Sequence, residues 1–340
     1  MEKTIVKILC LMLFSMLIQM PGLPNASASD DTIELKLAHF MPVMHVQHQK
    51  AFVPFAEKIA ELTNNRLKIK IFPGATLGSP KTMVDAIMTG ITDIGFVLPS
   101  YVPGRFPRSS LFELPFIFDS ASSVTSAFYD NYQFFADDYK KFKVLWFLSS
   151  PLSQCHTVNK PILKALDFTG LKIRSGGSME TEGIKKLGGN PIGMPISDLA
   201  VALQRGTVDG AFTPYAALNS HKLVDIVKHI TKINYSGALM AVLMNKRKWD
   251  SLPLSAQKAI DQVANKELGL MAAAAFDQED SDNIEAGKAK GIQFHKLSDA
   301  ENTKVIKKIE GIWQEWVKKN ASLFPADKML KAVVNSARSN

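Results

Sequence analysis

The sequence predicts an α/β protein in two lobes, each built on a mostly parallel sheet covered by helices, with a cleft between the lobes. Three observations point to this fold class. Strand-like and helix-like segments alternate in two separate stretches. The segment AIMTGITDIGF at 86–96 recurs as ALQRGTVDGAF at 202–212, in register and without a gap. The chain has 340 residues, a length that suits two domains better than one.

The first unit has the order strand, helix, strand, helix, strand. Its strands alternate apolar and polar residues, and its first helix places phenylalanine, isoleucine and leucine at helical spacing. Ser79 is predicted to cap the second helix, with Pro80 at its first position and Gly90 at its end. The predicted bounds are 32–40 (strand), 45–65 (helix), 66–72 (strand), 79–90 (helix) and 92–98 (strand).

The second unit repeats this order. Gly206 is expected to end its last helix as Gly90 ends the corresponding one, and Asp209 to begin the closing strand as Asp93 does. The predicted bounds are 170–175 (strand), 178–188 (helix), 190–195 (strand), 197–206 (helix) and 207–212 (strand). The recurring segment therefore marks the same helix-to-strand joint in each lobe.

The last hundred residues are predicted to tie the lobes together. Residues 234–245 are strand-like. The run from Ser255 to about Lys290 contains no proline and would form one helix of roughly 50 Å, which is long enough to brace both lobes. Residues 301–324 are predicted to form an amphipathic helix.

The first 28 residues resemble an export signal. Lys3 and Lys7 precede an apolar run of 13 residues, and Ala26-Ser27-Ala28 forms a small-residue cleavage site. An exported protein cleaved near Ala28 would keep one cysteine, Cys155, and so could form no internal disulfide. An uncleaved anchor or a buried first helix is the alternative.

Composition and motifs exclude several classes of function. The net charge is +8, but the lysines are dispersed and no basic run or RNA-binding aromatic motif occurs, which argues against nucleic acid. No nucleophile elbow, phosphate-binding loop, dinucleotide fingerprint or zinc-protease motif is present, which argues against an enzyme. His45 and His48 lack further ligands at a recognisable spacing, so we expect a surface histidine pair and neither metal nor cofactor.

Two arginines are candidates for binding an anion. Arg174 ends a predicted strand beside a Ser-Gly-Gly loop, where open α/β sheets present ligand-binding groups. Its guanidinium could clamp a carboxylate or form an interlobe salt bridge. Arg105 is exposed by a Pro-Gly turn and could contact a ligand or pair with Glu113. His39 follows a strand and could line the cleft or lie in the core.

The sequence resembles the DctP-like solute-binding proteins of TRAP transporters from about Ile33 to Trp316. The resemblance rests on LAHFMPVMH, LKIKIFPGATLGSP, DAIMTGITDIGF, FTGLKIRSGG and PIGMPISDLAVALQRGTVDGAF, in order and at matching spacing. It implies a two-lobed, periplasmic-binding-protein-like (type II-like) fold that closes on an organic acid. It also implies a periplasmic location, delivery to the small and large permease subunits in the membrane, a monomer, and no enzymatic activity.

The resemblance also implies lobe boundaries. The expected division is 29–151 plus about 241–275 for lobe I, about 152–240 plus about 276–325 for lobe II, and a C-terminal tail or helix at 326–340.

Within the family pattern, Arg174 is the carboxylate-binding arginine. Phe212 and Thr213 stand where many relatives carry an acidic residue and an asparagine, and His156 stands where many carry an arginine. These departures favour a carboxylate with an aromatic or apolar body, as does PGRFPRSSLFELPF at 103–116. The expected ligand contacts are Arg174, Arg105, Thr213, Phe212, Tyr215, Tyr101, His39, Phe40 and His156.

Three alternatives stay open at this point. The ligand could be a C4-dicarboxylate or another polar organic acid. The protein could feed a membrane sensor instead of a permease. It could also be an exported enzyme that uses Glu180 or Glu182 as a base.

Overall fold

The computed structural model describes residues 32–339, and the predicted export signal lies outside them. Eleven strands lie within this range. They are β1 (Ile33–Ala38), β2 (Leu67–Phe72), β3 (Ile94–Val97), β4 (Phe142–Ser149), β5 (Gln154–Thr157), β6 (Lys172–Ser175), β7 (Asn190–Gly193), β8 (Gly210–Thr213), β9 (His229–Lys232), β10 (Leu239–Asn245) and β11 (Gln293–Lys296).

Thirteen α-helices accompany them in the same range. They are α1 (Val53–Leu62), α2 (Met83–Thr89), α3 (Ala121–Asp130), α4 (Ala136–Tyr139), α5 (Ser178–Leu187), α6 (Leu199–Gln204), α7 (Ala217–Ser220), α8 (Lys246–Asp250), α9 (Leu254–Val263), α10 (Lys266–Ala289), α11 (Asp299–Ile309), α12 (Ile312–Asn320) and α13 (Ala326–Ser339). None of the helices in the described range is long and apolar enough to cross a membrane.

The strands form two sheets, one in each lobe, which confirms the predicted two-lobed α/β class. The first sheet has the order β2-β1-β3-β10-β4 and the second the order β11-β9-β5-β8-β6-β7. In both, the repeated unit is wound in the same way: β1 lies parallel between β2 and β3, and β6 lies parallel between β7 and β8.

The recurring sequence segment has one structural role in both lobes. Asp93 Oδ2 accepts a hydrogen bond from the backbone N–H of Lys36 at 2.8 Å, and Asp209 Oδ2 accepts one from Lys172 N–H at 2.8 Å. The backbone N–H of each aspartate returns a bond to the carbonyl of the same lysine. Each aspartate therefore fixes the register between the first and third strands of its unit, where an unpaired buried amide would be costly. Gly90 adopts a positive φ of 81° where α2 ends, as predicted.

Two predicted helices of the first unit have different bounds. Ser79 and Pro80 form a turn, and α2 begins only after Thr82, since the Ser79 carbonyl accepts Thr82 N–H three residues on. The helix predicted over 45–65 begins with a π-turn at His48–Phe52, next to Pro54, which has no N–H to donate.

The long helix predicted from Ser255 to Lys290 is interrupted. It breaks at Ala264, and Asn265 caps the second part by accepting Leu268 N–H. The helix predicted over 301–324 also divides, because Gly311 adopts a φ of 97° between α11 and α12. The predicted C-terminal segment is the helix α13.

Helix α10 nevertheless braces both lobes. Asp277 accepts the backbone N–H groups of Ala121 and Ser122 at the start of α3, which packs on the first sheet. One turn along, Asp280 accepts Ala216 N–H at 2.7 Å, at the start of α7 in the second lobe. A carboxylate is favourable at a helix start because it compensates the free N–H groups there.

Two segments cross between the sheets. Residues 150–153 join β4 to β5, and residues 233–238 join β9 to β10. The two segments are hydrogen-bonded to each other, for example Ser153 N–H to the Ser236 carbonyl at 2.9 Å and Ala238 N–H to Ser150 Oγ at 2.9 Å. The connection between the two lobes is therefore a hydrogen-bonded pair of segments rather than two independent ones.

Candidate functional site

A cavity with about 660 Å³ of open space, its mouth included, lies between the two sheets. Both lobes, both crossing segments and α10 contribute to its wall, which is the usual place for a ligand in a two-lobed α/β protein. The lining residues are Met41, His45, Leu98, Ser100, Tyr101, Glu113, Ser150, Ser153, Arg174, Gly176, Gly177, Glu180, Ile196, Thr213, Pro214, Ala217, Ser220, His221, Ser236, Gly237, Ala238, Met240 and Phe276.

Arg174 lies in this wall, only 4% exposed. Its guanidinium donates to three neutral acceptors: Nε to the Met194 carbonyl at 3.0 Å, Nη1 to the Phe212 carbonyl at 2.9 Å, and Nη2 to Tyr101 Oη at 3.0 Å. A guanidinium has five N–H donors. One N–H on each Nη therefore remains free, and no carboxylate within residues 32–339 forms an ion pair with the group. This arrangement suits a bidentate carboxylate.

Tyr101 and Thr213 add two hydroxyl donors beside Arg174. Tyr101 Oη accepts bonds from Arg174 and from Ile196 N–H at 3.1 Å, which leaves its own hydrogen free to donate. Thr213 Oγ1 is buried and has no partner among the described residues. Because a buried hydroxyl without a partner is costly, a ligand atom that accepts from Thr213 would be favoured.

Two buried glutamates face the cavity. Glu180 accepts from Ser153 Oγ at 2.7 Å and from Gly176 N–H at 2.6 Å, so both of its oxygens are used. Burial raises its pKa, and the positive charge of Arg174 opposes that shift. Glu113 accepts only distant donors, and burial raises its pKa to about 7.

His45 and His221 form a second polar group in the wall, with ring centroids 6.0 Å apart. His45 Nδ1 accepts the backbone N–H of Gln47 at 3.1 Å, so the neutral ring carries its hydrogen on Nε2. Burial holds the pKa of His45 well below its usual range, and burial with the charge of Arg174 lowers that of His221 to about 4. Both rings are therefore neutral near pH 7.

The rest of the wall is largely apolar. Phe276 packs edge-on against His45 with centroids 5.1 Å apart. The other apolar lining residues are Met41, Leu98, Ile196, Pro214, Ala217, Ala238 and Met240. The cavity thus combines one cationic, donor-rich group with a wall suited to a hydrophobic body.

Arg105 does not lie in the cavity, so the expectation of a ligand contact is wrong for it. Its side chain is 47% exposed and pairs with Asp85 at 2.6 Å. The Pro-Gly turn does expose it, as the sequence indicates, but toward α2 and solvent, and its partner is Asp85 rather than Glu113.

Phe212 is also wrongly predicted, because strand geometry turns it away. Arg174 pairs with Ala211 across the parallel strands, so Ala211 and Thr213 share the face of Arg174, and Phe212 points to the other face. Its ring packs in the core 5.2 Å from that of Tyr235. Only its backbone carbonyl takes part, through Arg174.

Four further predicted contacts are buried outside the lining. Phe40 stacks on Phe96 and lies behind Tyr101, with centroids 5.6 and 6.1 Å away. Tyr215 packs between His156 and Phe294. These two aromatic rings belong to the supporting core, because both are already covered by protein rings.

His39 and His156 are core histidines. His39 Nε2 lies 2.9 Å from His48 Nδ1 and its ring stacks on Phe52, which also shows that His48 pairs with His39 and not with His45. His156 is fully buried beside Tyr215. Burial lowers the pKa of both His39 and His156 to about 3, so both rings are neutral near pH 7.

The sequence did not predict a place in the cavity for His45, His221, Glu113 or the cavity serines. His45 was expected on the surface, yet it is 1% exposed. The position of His45 in the sequence offered a signal, because it follows the end of β1 as Arg174 lies at the end of β6. The ends of strands in parallel sheets commonly form ligand sites. No group of three or more histidine, cysteine or acidic side chains converges as a metal site in the described range.

A two-lobed fold around a buried cavity, with an arginine that donates only to neutral groups, is typical of a solute-binding protein. The chain belongs to the bacterial extracellular solute-binding protein family 7 (DctP), whose family model matches residues 37–320.

Solved structures agree with this assignment. A marine-metagenome TRAP solute-binding protein specific for aromatic acid ligands, in complex with metahydroxyphenylacetate, is 30% identical with a TM-score of 0.86, covering 90% of this chain and 99% of that one. A TRAP solute-binding protein from Rhodoferax ferrireducens with copurified benzoate is 25% identical with a TM-score of 0.87, covering 91% and 98%. One from Bordetella bronchiseptica with bound mandelate is 28% identical with a TM-score of 0.83, covering 90% and 99%.

Proposed function

We propose that this protein is the extracytoplasmic receptor of a TRAP transporter and binds a monocarboxylate with an aromatic or apolar body. The observation that carries the proposal is the buried Arg174 guanidinium, which has only neutral partners in the described part of the chain and two free N–H groups. The charge of Arg174 reaches Glu180, but both oxygens of Glu180 bond other groups. An anionic ligand could therefore pair directly with the two free N–H groups of the guanidinium.

The rest of the cavity favours one carboxylate over two. Arg174 is the only arginine or lysine in the lining of the described structure, and Glu113 and Glu180 add acidic groups. A C4-dicarboxylate would place its second charge among neutral histidines, carboxyl groups and apolar side chains. An aromatic body would instead contact Met41, Met240 and Phe276. Similar structures that hold aromatic acids support the same ligand class.

A thermal-shift screen of carboxylates tests the proposal. A ligand at 100 times its Kd adds about 2.7 kcal/mol to the free energy of unfolding, or about 4 °C in Tm for a chain of this size. Benzoate, 3-hydroxybenzoate or mandelate should raise the Tm, whereas succinate, malate and sialic acid should leave it nearly unchanged. A shift produced by the dicarboxylates and not by the aromatic acids would refute the ligand class.

Ligand capture is proposed to proceed by closure of the lobes about the paired crossing segments, 150–153 and 233–238. Lobe boundaries near residues 151 and 240, with α10 changing lobes near 275, fit such a hinge. Gly237 suits this place because a Cβ there would lie 2.6 Å from Ser149 Oγ and 2.9 Å from the Ser150 carbonyl. A ligand would stabilise the closed form only through contacts that it makes in the closed form and not in the open one.

Binding without turnover is part of the proposal. The sequence left Glu180 and Glu182 as candidate bases for an enzyme. Both oxygens of Glu180 are already hydrogen-bonded, and Glu182 pairs with Lys185 at an exposed position. Mass spectrometry of the recovered ligand should find it intact after long incubation. The protein is proposed to act as a monomer that delivers the ligand to small and large permease subunits. Uptake of the ligand into vesicles that contain those subunits would test the delivery.

A further inference from the structure

The second buried acid of the cavity, Glu113, has no function in carboxylate capture as described so far. It ends a 3₁₀ turn, Ser109–Glu113, and is 8% exposed. It packs so closely on Gly177 that a Cβ there would collide with Glu113 Oε2. The contact joins the first lobe to the start of α5 in the second lobe.

The hydrogen bonds of Glu113 are few and long. Ser178 Oγ lies 3.4 Å and Met179 N 3.5 Å from Oε2, and no cationic side chain pairs with the carboxyl within residues 32–339. Oε1 accepts no hydrogen bond from the described residues, is not sealed off from solvent, and belongs to a side chain that lines the cavity. A carboxylic acid with its hydrogen on Oε1 would leave Oε2 to accept these two bonds and would have a donor to offer to a ligand atom in the cavity.

Glu180 provides the contrast. Burial raises its pKa, but the short bonds that its two oxygens receive from Ser153 and Gly176 and the charge of Arg174 all act to keep it ionised. Two neighbouring carboxyl groups with such different surroundings take different protonation states. Glu113 is therefore the member of the pair that holds a proton.

We propose that Glu113 meets the bound anion as a neutral carboxylic acid and donates a hydrogen bond to it, so that each ligand captured takes up a proton from solvent. The proposal rests on the proposed function, since it needs an anionic ligand beside Arg174. An ionised Glu113 would face both Glu180 and the ligand carboxylate across one cavity. Protonation removes that repulsion and creates a donor where the ligand presents oxygen.

The other titratable groups around Glu113 do not supply this proton. Burial raises the pKa of Tyr235 well above its usual range, so this phenol stays neutral. His45 and His221 are held neutral by burial. On α5, which packs against the Glu113 turn, the remaining charged side chains pair with other groups: Glu182 with Lys185, and Lys186 with Glu315. The start of α5 favours the ionised form of Glu113, but burial has the larger effect. It raises the pKa of Glu113 to about 7.

Titration calorimetry with benzoate on the full chain tests the proposal. At pH 8, the observed binding enthalpy is measured in phosphate and in Tris, whose ionisation enthalpies differ widely, and the slope gives the protons taken up. We expect close to one proton for the wild type and none for Glu113→Gln, which keeps the shape of the neutral acid. Glu182→Gln, a change at an exposed carboxylate one turn into α5, the helix that packs against the Glu113 turn, is the matched control and should keep the uptake.

The pH profile gives a second readout. Below pH 7 the free protein already holds the proton, so the Kd of the wild type should be nearly constant. Above pH 7 the Kd should rise about tenfold per pH unit, whereas the Kd of Glu113→Gln should stay flat between pH 6 and 8.5 and be tighter than wild type at pH 8.

The outcomes separate the two proposals. Normal binding by the wild type without proton uptake, or uptake that persists in Glu113→Gln, overturns the role of Glu113 and leaves the proposed function intact. Failure of the wild type to bind benzoate, 3-hydroxybenzoate or mandelate at any pH overturns the proposed function, and the role of Glu113 with it.

Discussion

Replacement of Arg174 by alanine tests the centre of the site. The change removes the two free N–H groups that we assign to the ligand, and hydrogen bonds to charged groups contribute about 1.5–3 kcal/mol each. Leaving one partner of a buried ion pair alone costs about 3–5 kcal/mol. We therefore expect Arg174→Ala to raise the Kd for benzoate by about 10²–10⁴-fold, measured by isothermal titration calorimetry.

The structure supplies a matched control and a graded variant. Arg105→Ala removes an arginine of the same size from an exposed pair with Asp85 and should leave the Kd unchanged. Arg174→Lys keeps the charge but loses the planar guanidinium. Its Kd for benzoate should lie between those of wild type and Arg174→Ala.

Arg174 also holds the Met194 and Phe212 carbonyls, so circular dichroism and Tm must show that the variants are folded. If folded Arg174→Ala binds benzoate within threefold of wild type, the carboxylate site lies elsewhere.

Three further predictions concern the donor set and the scaffold. Thr213→Val keeps the shape of the side chain but removes the unpartnered hydroxyl, so the Kd for benzoate should rise about fivefold to tenfold, from the loss of about 1 kcal/mol, by calorimetry. Asp209→Ala leaves the Lys172 amide unpaired and should lower the free energy of unfolding in urea by about 1–3 kcal/mol. Gly269→Ala places a Cβ against the Phe147 carbonyl and should lower the free energy of unfolding by about 1–3 kcal/mol.

Each of these has a contrary result. A Kd for Thr213→Val equal to that of wild type would mean that the ligand does not use this hydroxyl. Asp327→Ala, at an exposed aspartate, is the control for Asp209→Ala, and equal effects of the two would refute the register role. Met271→Ala, at an exposed site on the same helix, is the control for Gly269→Ala, and equal stability would show that the helix can shift away.

Most of the fold could be predicted because its signals are local. Alternating apolar residues identify β1, β2 and β6, and Gly90 marks a helix end through its own backbone conformation. The break at Ala264 has no signal in helix propensity, whereas the break at Gly311 has one, since glycine is a poor helix former and adopts a positive φ there. Asn265 ends one helix and begins the next by a side-chain bond that the residue type permits but does not require.

The site was predictable only in part, because a cavity is assembled from distant segments. Arg174 has a local signal, its position at a strand end before two glycines. Phe212 and Thr213 could not both face the cavity, since neighbours on a strand point to opposite sides. The choice between them needs the pairing of β6 with β8, which puts Thr213 on the side of Arg174. His221 and Glu113 have no local signal at all.

The bond between Tyr101 and Arg174 has a kinetic consequence. The phenol comes from the first lobe, and the guanidinium and the Ile196 amide come from the second, so the donor set for a carboxylate is complete only when the lobes meet. An acid that touches one lobe alone is retained by a fraction of these groups and escapes quickly. If the lobes close as proposed, the residence time of the ligand would depend on how often they separate. A partner that opened the lobes would then release the ligand without contacting it.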